Sequence, residues 1–207
     1  MEMDWKTNMA ELGGAFAVSW LVLGEGNAVM MGVLLAVVMA AMAGAHILPM
    51  FTWISAMTGD LQDTDAWIGN VMRLVMQVVG AGAALALLGE GTVVASVTEA
   101  VAATDTTEAI ASVSTVDMWE FELWAMLGMV AAGALIGAIA SRCDGWMTAF
   151  AVVAMAGALG AGVGGANTMA AELMGGGNMV EAASTWVLDG VVIGVGALLG
   201  GMLEDQL

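Results

Sequence analysis

Six apolar runs, near residues 10–23, 28–45, 67–88, 119–140, 146–164 and 184–203, set the terms on which this 207-residue chain can fold. A bilayer-spanning helix needs roughly 20 apolar residues, and the runs supply six candidates, some of marginal length. Apolar residues make up 60% of the sequence and charged residues 11%, against about 25% charged in an ordinary soluble domain. The expected class is an all-α, multi-pass membrane protein with the lipid bilayer as its partner. The first run does not read as a cleavable signal, because Glu2 and Asp4 stand before it against Lys6 and no small-residue cleavage site stands out.

Three basic residues against 20 acidic ones give a formal charge of −17. That excludes a phosphate-tracking nucleic-acid surface, argues against attraction to anionic lipid heads and suits a high-salt milieu. Cys143 stands alone, so no intramolecular disulfide forms, and zinc, haem and iron–sulfur sites lack ligands; no cofactor is expected. With a cytoplasmic N-terminus, six alternating spans place Lys6, Arg73 and Arg142 all on the cytoplasmic side, in keeping with the positive-inside rule. Both termini are then cytoplasmic, and the Thr-, Ser- and Ala-rich connection 89–117, with Glu90, Glu99, Asp105, Glu108 and Asp117, is an acidic extracellular loop.

The apolar pattern breaks twice in a related way. Gly44-Ala45-His46-Ile47-Leu48-Pro49-Met50-Phe51-Thr52 ends one run and holds the chain's only proline, and Gly165-Ala166-Asn167-Thr168-Met169-Ala170-Ala171-Glu172-Leu173 repeats its opening Gly-Ala after another run. A membrane helix therefore stops once in each half. Trp20, Trp67, Trp119, Trp146 and Trp186 fall near span ends, where an indole anchors at the headgroups. The pairs Gly128/Ala132, Gly133/Gly137, Gly190/Gly194 and Gly196/Gly200 are spaced for close helix–helix approach. The 20 methionines are read as gap-filling or lipid-facing. Glu11, Gln77 and Glu122 are polar residues in apolar runs and require partners; they end helices at the headgroups or hold broken-helix backbone.

In this order the motifs resemble the major intrinsic protein family, the aquaporins and aquaglyceroporins. Ala10–Phe16 is similar to the family's Ala-Glu-Phe-x-Gly-Thr-Phe, Gly26–Val29 to Gly-Ser-Ala-Val, Gly44–Thr52 to Gly-x-His-x-Asn-Pro-Ala-Val-Thr and Met76–Ala81 to Ala-Gln-x-x-Gly-Ala. In the second half, Gly165–Glu172 is similar to Gly-Ala-Ser-x-Asn-Pro-Ala-Arg and Trp186–Val195 to Trp-Val-x-x-x-Gly-Pro-x-x-Gly-Ala. The resemblance implies two inverted three-span repeats, 1–88 and 118–207, donating half-helices over about 48–58 and about 167–177 that meet at the membrane midplane. It implies a homo-tetramer whose pore lining includes His46, Leu48, Pro49, Met50, Gly157, Asn167, Met169, Ala170, Ala171 and Glu172, with Glu11, Gln77 and Glu122 supporting the half-helices.

Both asparagine–proline–alanine motifs are altered. Leu48 replaces the first asparagine and Met50 the alanine. In the second motif one register puts Met169 at the asparagine, Ala170 at the proline, Ala171 at the alanine and Glu172 at the filter arginine; the other keeps Asn167 as the asparagine and puts Ala170 at the arginine. The filter histidine then falls at Gly157 or at Met155 respectively. The first register also superposes His46 on Asn167 and Leu48 on Met169, and leaves Asn167 and Thr168 to cap the second half-helix. The expected function is passive conduction of small neutral solutes, such as water or glycerol, through an apolar waist without a filter arginine. The alternatives are a cation-leaky channel and a non-conducting structural subunit. No nucleophile–base pair points to an enzyme.

Overall fold

In a computed structural model of the protein, residues 4–88, 123–159, 165–175 and 179–204 are described, and their regular structure is entirely helical. Helix α1 (Trp5–Ala17) runs on into a π-helical stretch, Val18–Val22. It is followed by α2 (Ala28–Ala41), α3 (Pro49–Thr58), α4 (Thr64–Leu88), α5 (Leu123–Arg142), α6 (Gly145–Leu159), α7 (Gly165–Gly175) and α8 (Met179–Glu204). The acidic segment 89–117, Trp119 and Glu122 lie outside the described residues.

Three helices, α4, α5 and α8, are long and apolar enough to cross a membrane. At 25 residues, α4 extends about 37 Å, longer than the hydrocarbon core. The runs at 28–45 and 146–164 form the shorter apolar helices α2 and α6. The first ends early because Gly44 takes a positive φ of 93° that a continuing α-helix does not allow. Polar side chains set two of the helix starts: Asp4 accepts from Thr7 N at 3.1 Å, and Asn27 accepts from Val29 N at 2.9 Å and from Met30 N at 3.2 Å. The protein is thus an all-α membrane protein.

The packing repeats itself across the chain. Helix α1 crosses α4 as α5 crosses α8; the short α3 lies along α8 as the short α7 lies along α4; and α2 packs on α6 to join the halves. Glycine makes the tightest crossings possible. A Cβ on Gly80 would collide with the Leu12 carbonyl, and one on Gly196 would collide with the Val130 carbonyl. Matching these crossings sets Val130 against Leu12, so Met129 occupies the place of Glu11 and Ile193 that of Gln77.

At the centre, Leu35, Ile47, Leu48, Ile136 and Val152 are fully buried in one apolar cluster that also takes in Met50, Ala166, Ala170 and Ile193. Trp20 and Trp146 remain exposed, as a lipid-facing anchor requires. Trp186 does not: it lies edge-on to the buried Trp53, with centroids 6.5 Å apart, and its Nε1 is 3.4 Å from where a Gly165 Cβ would stand. Eight positions into α8, it faces the interior.

These crossings make a direct stability test. Gly80→Val forces side-chain atoms into the α1 backbone and is expected to cost about 3 kcal/mol, seen as a lowered melting temperature in detergent. Gly69→Ala, with open space around its Cβ, is expected to be neutral or stabilising by up to about 1 kcal/mol.

Candidate functional site

The chain between α2 and α3 must change direction within apolar surroundings, which strands backbone amides. Ala45 N bonds to Met42 O at 2.9 Å, closing one turn, and Leu48 N bonds to His46 O at 2.7 Å, closing a γ-turn centred on Ile47. Ile47 has φ 56°, a left-handed conformation that a β-branched residue adopts only under constraint. Pro49 then starts α3 at its first position, and the residue before it, Leu48, is extended (φ −119°, ψ 136°), as the proline ring demands. Leu48 offers no side-chain cap; Pro49 has no amide hydrogen to satisfy, and Phe51 N donates to Leu48 O at 3.1 Å.

The constraint on Ile47 comes from α1. Glu11 is wholly buried, at 0% exposure, and both its oxygens face the turn: Oε1 accepts from His46 N and Oε2 from Ile47 N, each at 2.7 Å. Gln77 on α4 donates to the same Oε2 at 2.7 Å and to Thr52 Oγ1 on α3 at 3.0 Å. One carboxylate thus joins α1, the turn and α4, and one amide joins α4 to α3.

Arg73 completes the group. One turn before Gln77 on the same face of α4, it places Nε 3.9 Å from Glu11 Oε1 and a terminal nitrogen 2.8 Å from His46 Nε2. A guanidinium only donates, and the same terminal nitrogen stands 3.2 Å from His46 Nδ1, which also lies 3.1 Å from Thr52 Oγ1. The imidazole is held between Arg73 and Thr52, and the arginine side chain stays 26% exposed.

The second break is built differently. Asn167 and Thr168 lie within α7 rather than ahead of it, so neither caps it, and α7 is already helical at Gly165. The Cβ that Gly165 lacks would stand 3.8 Å from the Pro49 ring, so the starts of α3 and α7 abut. Leu48, Pro49, Met50, Asn167 and Ala170 are buried beside this contact or within two turns of it, while Met169 and Ala171 are half-buried. Glu172 and Gly157 are exposed, and nothing lies within 4 Å of a Cβ on Gly157.

Arg73 and Thr52 join the site without a role assigned from sequence; for Arg73, read there as a flanking charge, the i, i+4 spacing to Gln77 on one helix face is the available signal. No protein-family model, curated protein or solved structure matches the chain.

Removing the carboxylate should expose how much the turn depends on it. Glu11→Leu leaves two buried amides and Arg73 without their acceptor and is expected to cost about 3 kcal/mol or more. Glu11→Gln retains one acceptor oxygen and should cost less. Thermal melting in detergent reads the order, and a Glu11→Leu protein melting with the wild type would show that the turn stands without its carboxylate.

Proposed function

We propose that the protein is a passive channel for small neutral solutes, water and glycerol among them, built as two inverted repeats of the aquaporin type with α3 and α7 as re-entrant half-helices. The observation carrying this reading is the meeting of Pro49 and Gly165 at the start of two short helices, each packed on the long helix of the opposite half. Two helix N-termini pointed at one place concentrate positive partial charge there, which favours the oxygen of a neutral solute and opposes a cation. In the same reading α1, α2 and α6 complete a set of six spans, both termini are cytoplasmic in the plasma membrane, and protomers assemble as tetramers with one pore each.

The waist is apolar. Leu48 at 1% exposure, Met50, Ala166 and Ala170 offer passing water no side-chain hydrogen bond, so flux through this conformation is low. No arginine stands in α7, and the acid there, Glu172, is exposed; cation exclusion rests on the helix ends alone, which keeps a leaky channel in view. The burial of Leu48 also favours a second reading, a structural subunit with the same architecture and a closed waist.

Stopped-flow light scattering on proteoliposomes separates these readings. Water or glycerol permeability above that of empty liposomes, raised by Leu48→Ala and abolished by Leu48→Trp, is expected of the channel. Permeability equal to empty liposomes for correctly inserted wild type and for Leu48→Ala alike would leave the structural subunit.

A further inference from the structure

Of the chain's three basic residues, two stand at helix ends: Lys6 is the second residue of α1 and Arg142 the last of α5. Arg73 does not. It is the tenth residue of α4, about 14 Å along a helix long and apolar enough to cross a membrane. A charge at such a depth is costly and marks either a structural ion pair or a water-filled path.

An ion pair with Glu11 does not account for it. The Glu11 carboxylate already accepts three hydrogen bonds of 2.7 Å, from His46 N, Ile47 N and Gln77 Nε2, while Arg73 Nε stands off at 3.9 Å, beyond hydrogen-bond reach. The guanidinium is directed past the carboxylate to the imidazole, with one terminal nitrogen 2.8 Å from His46 Nε2. Glu11 is wholly buried, whereas the arginine side chain is 26% exposed, so only the positive member of the pair reaches open space. Its level follows from the contacts of His46, whose Nδ1 lies 3.1 Å from Thr52 Oγ1 in the first turn of α3, two residues before the buried Leu48 of the waist. The guanidinium therefore stands just outside the waist, on the side along which α3 runs. Asp4, whose carboxyl also responds to the Arg73 charge, is exposed at the start of α1, where water screens it.

We infer that Arg73 is the charge-selecting residue of this mouth, a fixed positive charge that a sodium ion or a proton must pass before the waist of the channel proposed above, a role that rests on that channel reading. At the waist itself cation exclusion rests on the starts of α3 and α7. Arg73 adds a full unit charge one step earlier, on a helix other than the two short ones. A cation arriving at the exposed face meets the guanidinium first and Glu11 behind it. The carboxylate's charge is already met by three N–H dipoles, so repulsion dominates there. A neutral solute meets no such barrier.

The test compares wild type, Arg73→Met and Arg73→Lys in proteoliposomes, with water and glycerol permeability read by light scattering, sodium and proton entry by entrapped indicator dyes, and melting temperature in detergent alongside. Arg73→Met should raise the ratio of ion entry to water permeability about tenfold, the effect of one unit charge over roughly 10 Å at an effective dielectric of about 20. Arg73→Lys, which keeps the charge, should stay near the wild-type ratio. If Arg73→Met does not fold, the double variant Arg73→Met/Glu11→Gln removes both charges of the pair and is read in the same way. A ratio unchanged by Arg73→Met, or raised equally by Arg73→Lys, overturns the inference while the channel stands. A wild type that already admits sodium well above empty liposomes overturns it too. Wild type with neither water nor glycerol permeability overturns the channel reading, and this barrier with it.

Discussion

Two adjacent backbone amides, those of His46 and Ile47, turn inward where α2 has ended and α3 has not begun, and one carboxylate receives both. Neither amide has a helical carbonyl to pair with, and in apolar surroundings each would cost about 1–3 kcal/mol if left open. Glu11 removes that cost and supplies the constraint that holds Ile47 at φ 56°. The remaining links follow from the same carboxylate: Gln77 is oriented by it, Thr52 by Gln77, and His46 by Thr52 and Arg73. Burying a carboxylate is costly in itself, and here three N–H donors and a nearby guanidinium offset the cost.

The halves share a packing scheme without sharing this chemistry. Met129 and Ile193 occupy the places of Glu11 and Gln77, so the crossing of α5 and α8 is an apolar contact of small residues with Gly133 and Gly196 pressed against opposing carbonyls. Polar rigidity is concentrated on the side where α3 begins. On the other side Trp186 lies beside Gly165 and edge-on against Trp53. Among the described residues, the helix positions keep their symmetry while a buried carboxylate is seen only at the break before α3.

Much of the architecture was legible in the sequence because its causes are local. Pro49 marks the first residue of α3, Asn27 caps α2, and Gly133 and Gly196 fall where α5 and α8 bring their backbones together. The buried state of Glu11 was legible as a polar residue in an apolar run that needs a partner. What escaped reading depends on contacts far apart in sequence. The register of α7 has no proline to mark it, so Asn167 and Thr168 passed for caps when they lie inside the helix. Arg73 passed for a flanking charge because nothing local ties it to His46, 27 residues away. Trp186 passed for an interfacial anchor because its neighbour Trp53 belongs to the other half of the chain.

The claim on which the rest turns is re-entry, that α3 leads the chain back to the side from which the turn entered. Thiol labelling with a membrane-impermeant reagent, on sealed vesicles of both orientations, tests it in a Cys143→Ala background. Ala43→Cys, before the turn, and Asp60→Cys, after α3, both sit at exposed positions, as does Gly26→Cys at the far end of α2. Re-entry requires Ala43→Cys and Asp60→Cys to label from one side and Gly26→Cys from the other. Labelling of Ala43→Cys and Asp60→Cys from opposite sides would make α3 part of a crossing segment and contradict the architecture on which the function is argued.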